Sequence, residues 1–138
     1  MEKRRQILHI AMLAFAFLLA HISRPMALLC AVAAFLFNLF VLPRISRSTF
    51  RESDLARGYS TGMLFYPASV FILILIFPAY IAAGAWAVMA LGDGFATIFG
   101  AAPGRKPLPW NGSKTIAGSI VFFVCAAAGA FGLMMYTA

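Results

Sequence analysis

The sequence predicts an all-α protein built into a membrane: a polytopic bundle of about five transmembrane helices with a cytoplasmic N-terminus. Three observations predict it. Of the 138 residues, 63% are hydrophobic and 11% charged, and the mean hydropathy is +0.92; an ordinary soluble domain carries about 25% charged residues. Apolar runs of about 20 residues span a bilayer, and this chain is largely made of such runs. Stretches such as 7–20 and 70–77 are apolar on every face, so the period-two alternation of a transmembrane barrel is missing.

The first span is 6–22. Lys3, Arg4 and Arg5 precede an apolar stretch of signal-peptide length. No small-x-small cleavage site follows, because His21, Ile22 and Ser23 lead into Arg24-Pro25, and the stretch reads as a retained span. Pro25 suits the first turn of the second span, 25–42, and Pro43 ends it. A polar segment follows at 44–61, with four arginines, Glu52 and Asp54. From Met63 to Phe99 the only charge is Asp93. That length fits two short spans, 62–77 and 79–99, with the turn at Phe77-Pro78-Ala79. The fourth span runs on through a Gly-Asp-Gly break toward Gly100. A second polar loop, 101–114, leads into the fifth span, 115–136, whose alanines and glycines suit close helix packing. The whole chain, 1–138, reads as a single integral membrane domain without internal repeats.

The net charge is +7 and the pI about 10.1. On a soluble domain this balance would suggest nucleic acid; here it sets topology, and no nucleic-acid partner is expected. With the N-terminus inside, ten of the eleven basic residues fall on inner segments, and only Arg24 falls outside. Cytoplasmic loops are enriched in Lys and Arg, so the count favours two crossings between residues 62 and 99, cytoplasmic loops at 44–61 and 101–114, and an outer C-terminus. The protein is expected in the cytoplasmic membrane. Cys30 and Cys125 lie in apolar spans and form no CxxC pair, so neither a disulfide nor a metal site is indicated.

The chemistry concentrates in "LGDGFATIFGAAPGRKPLPWNGSKTIAGS", residues 91–119. An ionised carboxylate inside a membrane costs about 3 kcal/mol on insertion scales, so Asp93 is a functional candidate. Gly92 and Gly94 remove side chains on either side, allowing a helix break and close approach of another group. A carboxylate in such a break suits Mg²⁺, which takes one or two carboxylates plus substrate phosphates. Arg105, Lys106 and Lys114 add positive charge. Lys114-Thr115 stands where the fifth helix begins, and helix N-termini bind phosphate. Ser113 or Thr115 is a candidate cap, and Gly118-Ser119 permits close approach one turn later. Together these read as a nucleotide–Mg²⁺ site on the cytoplasmic face. No P-loop pattern is present. Read singly, the glycines equally suit helix packing and the basic residues equally suit topology.

This stretch resembles the signature of the family that contains dolichol kinase, phytol kinase and CTP-dependent diacylglycerol kinase. The resemblance rests on Gly92-Asp93-Gly94 with Ala96, on Gly100, on Gly104-Arg105 with Leu108-Pro109, and on Lys114-Thr115 with Gly118-Ser119. Two further segments are similar to family segments: "RRQILHI", with Arg4, Arg5 and His9, and "GMLFYPASVFILILIF", with Gly62, Tyr66 and Pro67. The resemblance implies an enzyme that transfers a phosphoryl group from CTP to the hydroxyl of a polyprenol, phytol or diacylglycerol. It implies catalytic roles for Asp93 and His9, with Asp93 holding Mg²⁺ or positioning the alcohol and His9 accepting a proton or touching phosphate. It implies nucleotide or phosphate contacts at Lys114, Thr115, Gly92, Gly94, Gly104, Arg105, Lys106, Gly118 and Ser119. His21 receives no role.

Relatives usually continue with further spans and later acidic residues, whereas this chain has no acidic residue after Asp93. Glu52 or Asp54 would then supply any second carboxylate. The chain alone is expected to have little activity and to gain it by self-association or from further C-terminal spans, with the small-residue face of 126–132 as the contact surface. Two other functions remain open: a cytidylyltransferase making a CDP-lipid, and a non-catalytic membrane subunit or transporter fragment. Phosphatidate-type acid-rich signatures are absent, which disfavours the first. The polar residues gather at one face, whereas transporters place them near mid-membrane.

Overall fold

The computed structural model describes residues 2–45, 54, 56–102 and 104–138. The chain is mostly helical. Helix α1 (Glu2–Ala11) leads into α2 (Leu13–Phe17) and a tight 3₁₀ turn, Leu18–Ala20. Helices α3 (Arg24–Leu36) and α4 (Leu42–Ile45) form one rod through a wide π turn, Phe37–Val41. Helix α5 is Thr61–Ile76. Helices α6 (Ala79–Ala87) and α7 (Gly94–Gly100) form a second rod through another wide turn, Val88–Asp93. Helix α8 is Ile116–Thr137. Three of these rods, Arg24–Ile45, Ala79–Gly100 and Ile116–Thr137, are each 22 residues long and apolar enough to cross a membrane. At 1.5 Å per residue, such a rod reaches about 33 Å, against a hydrocarbon core of about 30 Å.

Two expectations are corrected here. The Gly-Asp-Gly stretch does not break its helix: the rod continues from Ala79 to Gly100 and widens by one turn at Val88–Asp93. The glycines are tolerated mid-helix because the neighbours need their space. A Cβ on Gly92 would lie 3.0 Å from the Phe122 ring and 3.1 Å from Ala126 Cβ, and one on Gly94 would lie 2.4 Å from Ile10 Cγ1. The second correction is the loop 101–114, which holds a small antiparallel hairpin. Strand β1 (Pro107–Leu108) pairs with β2 (Asn111–Thr115), so the fold is not purely helical. The inner loop 44–61 falls mostly outside the described residues.

The core explains the packing. Ala82, Ala83, Ala87 and Ala90 are essentially fully buried, and Trp86, Ala16, Leu19, Val70, Ile74 and Leu133 close around them. Small side chains on the α6 rod let α2 and α8 approach its backbone closely, the usual means of association where lipid offers no hydrophobic drive. The α3 rod reaches this core through Ala27 and packs mainly against α5.

Side chains from the α3 rod hold α5 at both ends. Pro67 sits inside α5 and has no N–H, which leaves the Met63 carbonyl without its helical donor. Asn38, in the wide turn of the α3 rod, donates to that carbonyl at 2.8 Å. At the far end the last carbonyls of α5 are free because the helix stops. Arg24 Nε donates to the Ile74 carbonyl at 2.8 Å, and Arg24 Nη2 donates to that of Leu75.

Candidate functional site

Four segments of the chain meet in one open cleft of about 320 Å³. Helix α1 supplies His9; α5 supplies Gly62, Phe65, Tyr66 and Ser69; the wide turn of the α6–α7 rod supplies Val88, Met89 and Asp93; and α8 supplies Phe122. Gly94 brings them together. Without a side chain there, α1 packs through Ile10 and the Gln6 backbone directly onto the rod, which sets His9 level with the residues just before Gly94.

Within the cleft His9 is fixed from two sides. Its Nε2 lies 3.0 Å from the Met89 carbonyl. A carbonyl only accepts, so Nε2 carries the proton and a neutral His9 keeps its lone pair on Nδ1. The Tyr66 ring meets the imidazole edge to face, with centroids 4.6 Å apart. Tyr66 is fixed in turn by Trp86, whose Nε1–H donates to the phenol oxygen at 2.6 Å; the phenol keeps its own proton to donate. Met89 and Asp93 are four residues apart on one rod, so they are neighbours on its surface. Asp93 is exposed between two buried glycines, and among the described residues none bonds or ion-pairs with its carboxylate. The two wide turns among the described residues each carry a polar side chain inside an apolar rod, Asn38 in one and Asp93 in the other. Such turns recur at functional sites.

The hairpin forms a second cluster. Gly104 has φ +77°, a conformation that favours glycine, and it turns the chain into exposed Arg105 and Lys106. The Ile116 N–H donates to the Lys106 carbonyl at 3.1 Å and closes the hairpin base. Thr115 caps α8: its hydroxyl accepts from the Gly118 N–H at 3.1 Å and donates to the Gly100 carbonyl at 3.2 Å. Ser119 Oγ donates to the Thr115 carbonyl at 3.2 Å. Lys114 is exposed on β2. Gly100 and Gly118 let the two helices cross: a Cβ on Gly118 would lie 3.1 Å from the Ala96 carbonyl oxygen and 3.2 Å from Gly100 Cα.

The residues singled out in the sequence therefore divide three ways. His9 and Asp93 share the cleft, with Gly62 and Tyr66. Gly104, Arg105, Lys106, Lys114 and Thr115 belong to the hairpin and do not line the cleft. Gly92, Gly94, Gly100 and Gly118 face neighbouring helices. The expected phosphate cradle at the start of α8 is already occupied in part, since the N–H groups of Ile116 and Gly118 serve the Lys106 carbonyl and the Thr115 hydroxyl. Asp54 is buried, accepts from Ser60 Oγ at 2.8 Å and does not line the cleft; Glu52 lies outside the described residues. The face 126–132 is also partly taken: Ala126 is buried and Gly129 receives Leu91, while a Cβ on Gly132 would meet nothing within 4 Å.

Sequence reading missed Asn38, Ser69 and Trp86. The signal for Asn38 was present: it is the only amide in its span, and Pro67 creates a free carbonyl in another. Among the described residues no three His, Cys, Asp or Glu side chains gather as a metal site. The donor set at Asp93, one exposed carboxylate, fits Mg²⁺ that arrives with a nucleotide and takes its other ligands from phosphate and water. Compared with protein-family models, with curated proteins and with solved structures, the chain matches none.

Proposed function

We propose that this protein is a CTP-dependent lipid kinase, phosphorylating a membrane alcohol of the polyprenol, phytol or diacylglycerol kind. The observation that carries the reading is the cleft in which His9, Tyr66 and Asp93 meet among Phe65, Val88, Met89 and Phe122. It offers a carboxylate, an imidazole with a free acceptor nitrogen and a phenol donor beside apolar side chains suited to a lipid. The family resemblance of three separate segments supports it, because each contributes a residue to this one cleft. We also propose five spans with the N-terminus, the cleft and the hairpin on the cytoplasmic side, supported by the distribution of basic residues.

In this reading the alcohol enters the cleft from the bilayer with its hydroxyl toward Asp93 and His9. The hydroxyl oxygen forms a bond to the terminal phosphorus of CTP as the bond from that phosphorus to the bridging oxygen breaks, and CDP leaves. The alcohol proton passes to His9 Nδ1, held in place by the bond from Nε2 to Met89. Tyr66 orients the hydroxyl. Asp93, together with the phosphates, would hold Mg²⁺, which would supply charge neutralisation on the transferring group; positioning with charge neutralisation supplies most of such catalysis. Lys114, Arg105 and Lys106 receive the outer phosphates. Gly100, at the hairpin base, is seven residues beyond Asp93, about 10 Å along the rod, so an extended triphosphate bridges hairpin and cleft.

The test reconstitutes the chain in liposomes containing mixed prenols and diacylglycerol and supplies CTP labelled in the terminal phosphate or in the cytidine. Terminal label in the lipid is expected. Cytidine label in the lipid would instead identify a cytidylyltransferase. Absence of both, together with absence of Mg²⁺-dependent CTP binding, would overturn the proposal.

A further inference from the structure

Among the described residues, the most exposed large hydrophobic side chain is not on a helix. Trp110, 81% exposed, stands at the turn of the hairpin. The pairing of Leu108 with Asn111 leaves Pro109 and Trp110 as the turn residues. The platform is stiff: prolines flank Leu108, and the Asn111 side-chain oxygen accepts from the Ser113 N–H at 3.1 Å and from the Ser113 hydroxyl at 2.7 Å. The hairpin base is pinned to the ends of two membrane-length rods through Thr115 and Gly100 and through Ile116 and Lys106. Arg105, Lys106 and Lys114 are all exposed. No acidic residue lies anywhere after Asp93.

Geometry limits where such a tip can sit. From Thr115 to Asn111 is four residues of strand, at most about 13 Å. The headgroup layer on each side of a bilayer is about 5–8 Å deep. Upright, the hairpin would carry an isolated indole out of that layer into water, while Arg105, Lys106 and Lys114, close to its base, would stay at headgroup level. Leaning over, it places the indole at the interface, where tryptophan is enriched, and keeps its cations at lipid phosphate depth, where an anionic surface attracts each of them. We infer that the 104–115 hairpin is a membrane-surface anchor that docks on anionic lipid headgroups through Trp110, Arg105, Lys106 and Lys114. The inference does not depend on the kinase reading, because it requires neither nucleotide nor acceptor alcohol.

The test uses the full chain in nanodiscs of phosphatidylcholine alone or mixed with phosphatidylglycerol. The chain has two tryptophans, so the emission of Trp110 is the difference between the native chain and Trp110→Phe. In the anionic discs this difference emission is expected to shift to the blue, to be quenched by acyl chains brominated near the headgroup, and to be shielded from aqueous iodide. Arg105→Gln/Lys106→Gln, which leaves the helices untouched, is expected to reverse the shift. An equal shift in both lipids overturns the role of charge and with it the inference. So does no shift in either lipid, or a shift that appears in neutral discs only when CTP and Mg²⁺ are added, which would assign the tip to a nucleobase.

Discussion

Two histidine–tyrosine pairs stand at opposite ends of the N-terminal helical segment, and their difference locates the site. His21 Nε2 bonds the Tyr136 hydroxyl at 2.8 Å, and Phe17 meets the same tyrosine ring with centroids 5.3 Å apart. That pair is exposed and joins the last turn of α8 to the end of the first segment, and its imidazole and phenol are bonded to each other. His9 and Tyr66 make only a ring contact. Their hydrogen-bonding atoms face elsewhere, His9 Nε2 to a backbone carbonyl and the Tyr66 oxygen to Trp86, which leaves a lone pair on His9 and a phenol proton beside Asp93. The same two residue types make a clasp at one end and a potential reaction centre at the other. What separates them is the groups around each pair.

The sharpest way to break this comparison is to remove the charge that distinguishes the ends. Asp93→Asn keeps the shape, and the exposed side chain leaves packing intact. Phosphoryl transfer is expected to fall by about 10²–10⁴-fold, the range for loss of a positioned catalytic group, and the Mg²⁺ dependence of CTP binding is expected to vanish. Equilibrium binding of labelled CTP with and without Mg²⁺ checks it. Unchanged metal dependence would remove Asp93 from the site.

Next in size is the paired substitution of the histidines. His9→Gln is expected to cost about 10²-fold in kcat with KM for CTP little changed, because a proton acceptor is lost and no phosphate contact. His21→Gln is expected to leave kcat unchanged and to lower thermal stability by about 1 kcal/mol, the net worth of an ordinary hydrogen bond. Equal losses of activity in both variants would mean that the two pairs are alike and both structural.

How much of this was legible beforehand follows the range of each interaction. The three long rods could be read from apolar runs, because a membrane span is decided by its own side chains. The Gly-Asp-Gly stretch was misread as a break because glycine is a poor helix former; what keeps it helical is Ile10, Phe122 and Ala126 filling the glycine spaces, contacts made by residues at least 28 positions away. The hairpin was hidden because Pro109-Trp110 lacks the Asn-Gly or Asp-Gly signal of a tight hairpin. Asp93 was singled out by the cost of a carboxylate inside an apolar span, and His9 and Tyr66 by resemblance, but nothing in the sequence put Trp86 behind Tyr66 or gave His9 the Met89 carbonyl as its acceptor.

A smaller effect compares the two ends of α8. Gly118 lies at the hairpin end against unyielding backbone, the Ala96 carbonyl oxygen and Gly100 Cα, while Gly132 has open space. Gly118→Ala is expected to destabilise by about 1–3 kcal/mol, as overpacking does, and to displace the hairpin and weaken CTP binding. Gly132→Ala is expected to be neutral or to stabilise by about 0.5–1 kcal/mol through helix propensity. Thermal unfolding in detergent checks both, and a tolerated Gly118→Ala would mean that the α7–α8 crossing does not set the hairpin's place.

The smallest effect sharpens the comparison most, because it asks whether the cleft end of α5 is held by a repaired defect. At the far end Arg24 serves the Ile74 and Leu75 carbonyls that any terminating helix leaves free. At the cleft end Asn38 serves the Met63 carbonyl, which is free only because Pro67 lacks an N–H. Asn38→Leu should therefore cost about 0.6 kcal/mol and at most about 1.7 kcal/mol, the average and the maximum found for polar contacts between membrane helices. In a Pro67→Ala background the alanine N–H returns to Met63, the carbonyl no longer needs Asn38, and the same Asn38→Leu change should cost close to nothing. The coupling in this double-mutant cycle then equals nearly the whole cost of the single change. Arg24→Ala in the same background should cost what it costs in the native chain, since its carbonyls do not depend on Pro67. If Asn38→Leu costs the same with and without Pro67, Asn38 is merely a packed amide, and the position of Tyr66 in the cleft is set without it, by contacts such as those with Trp86 and His9.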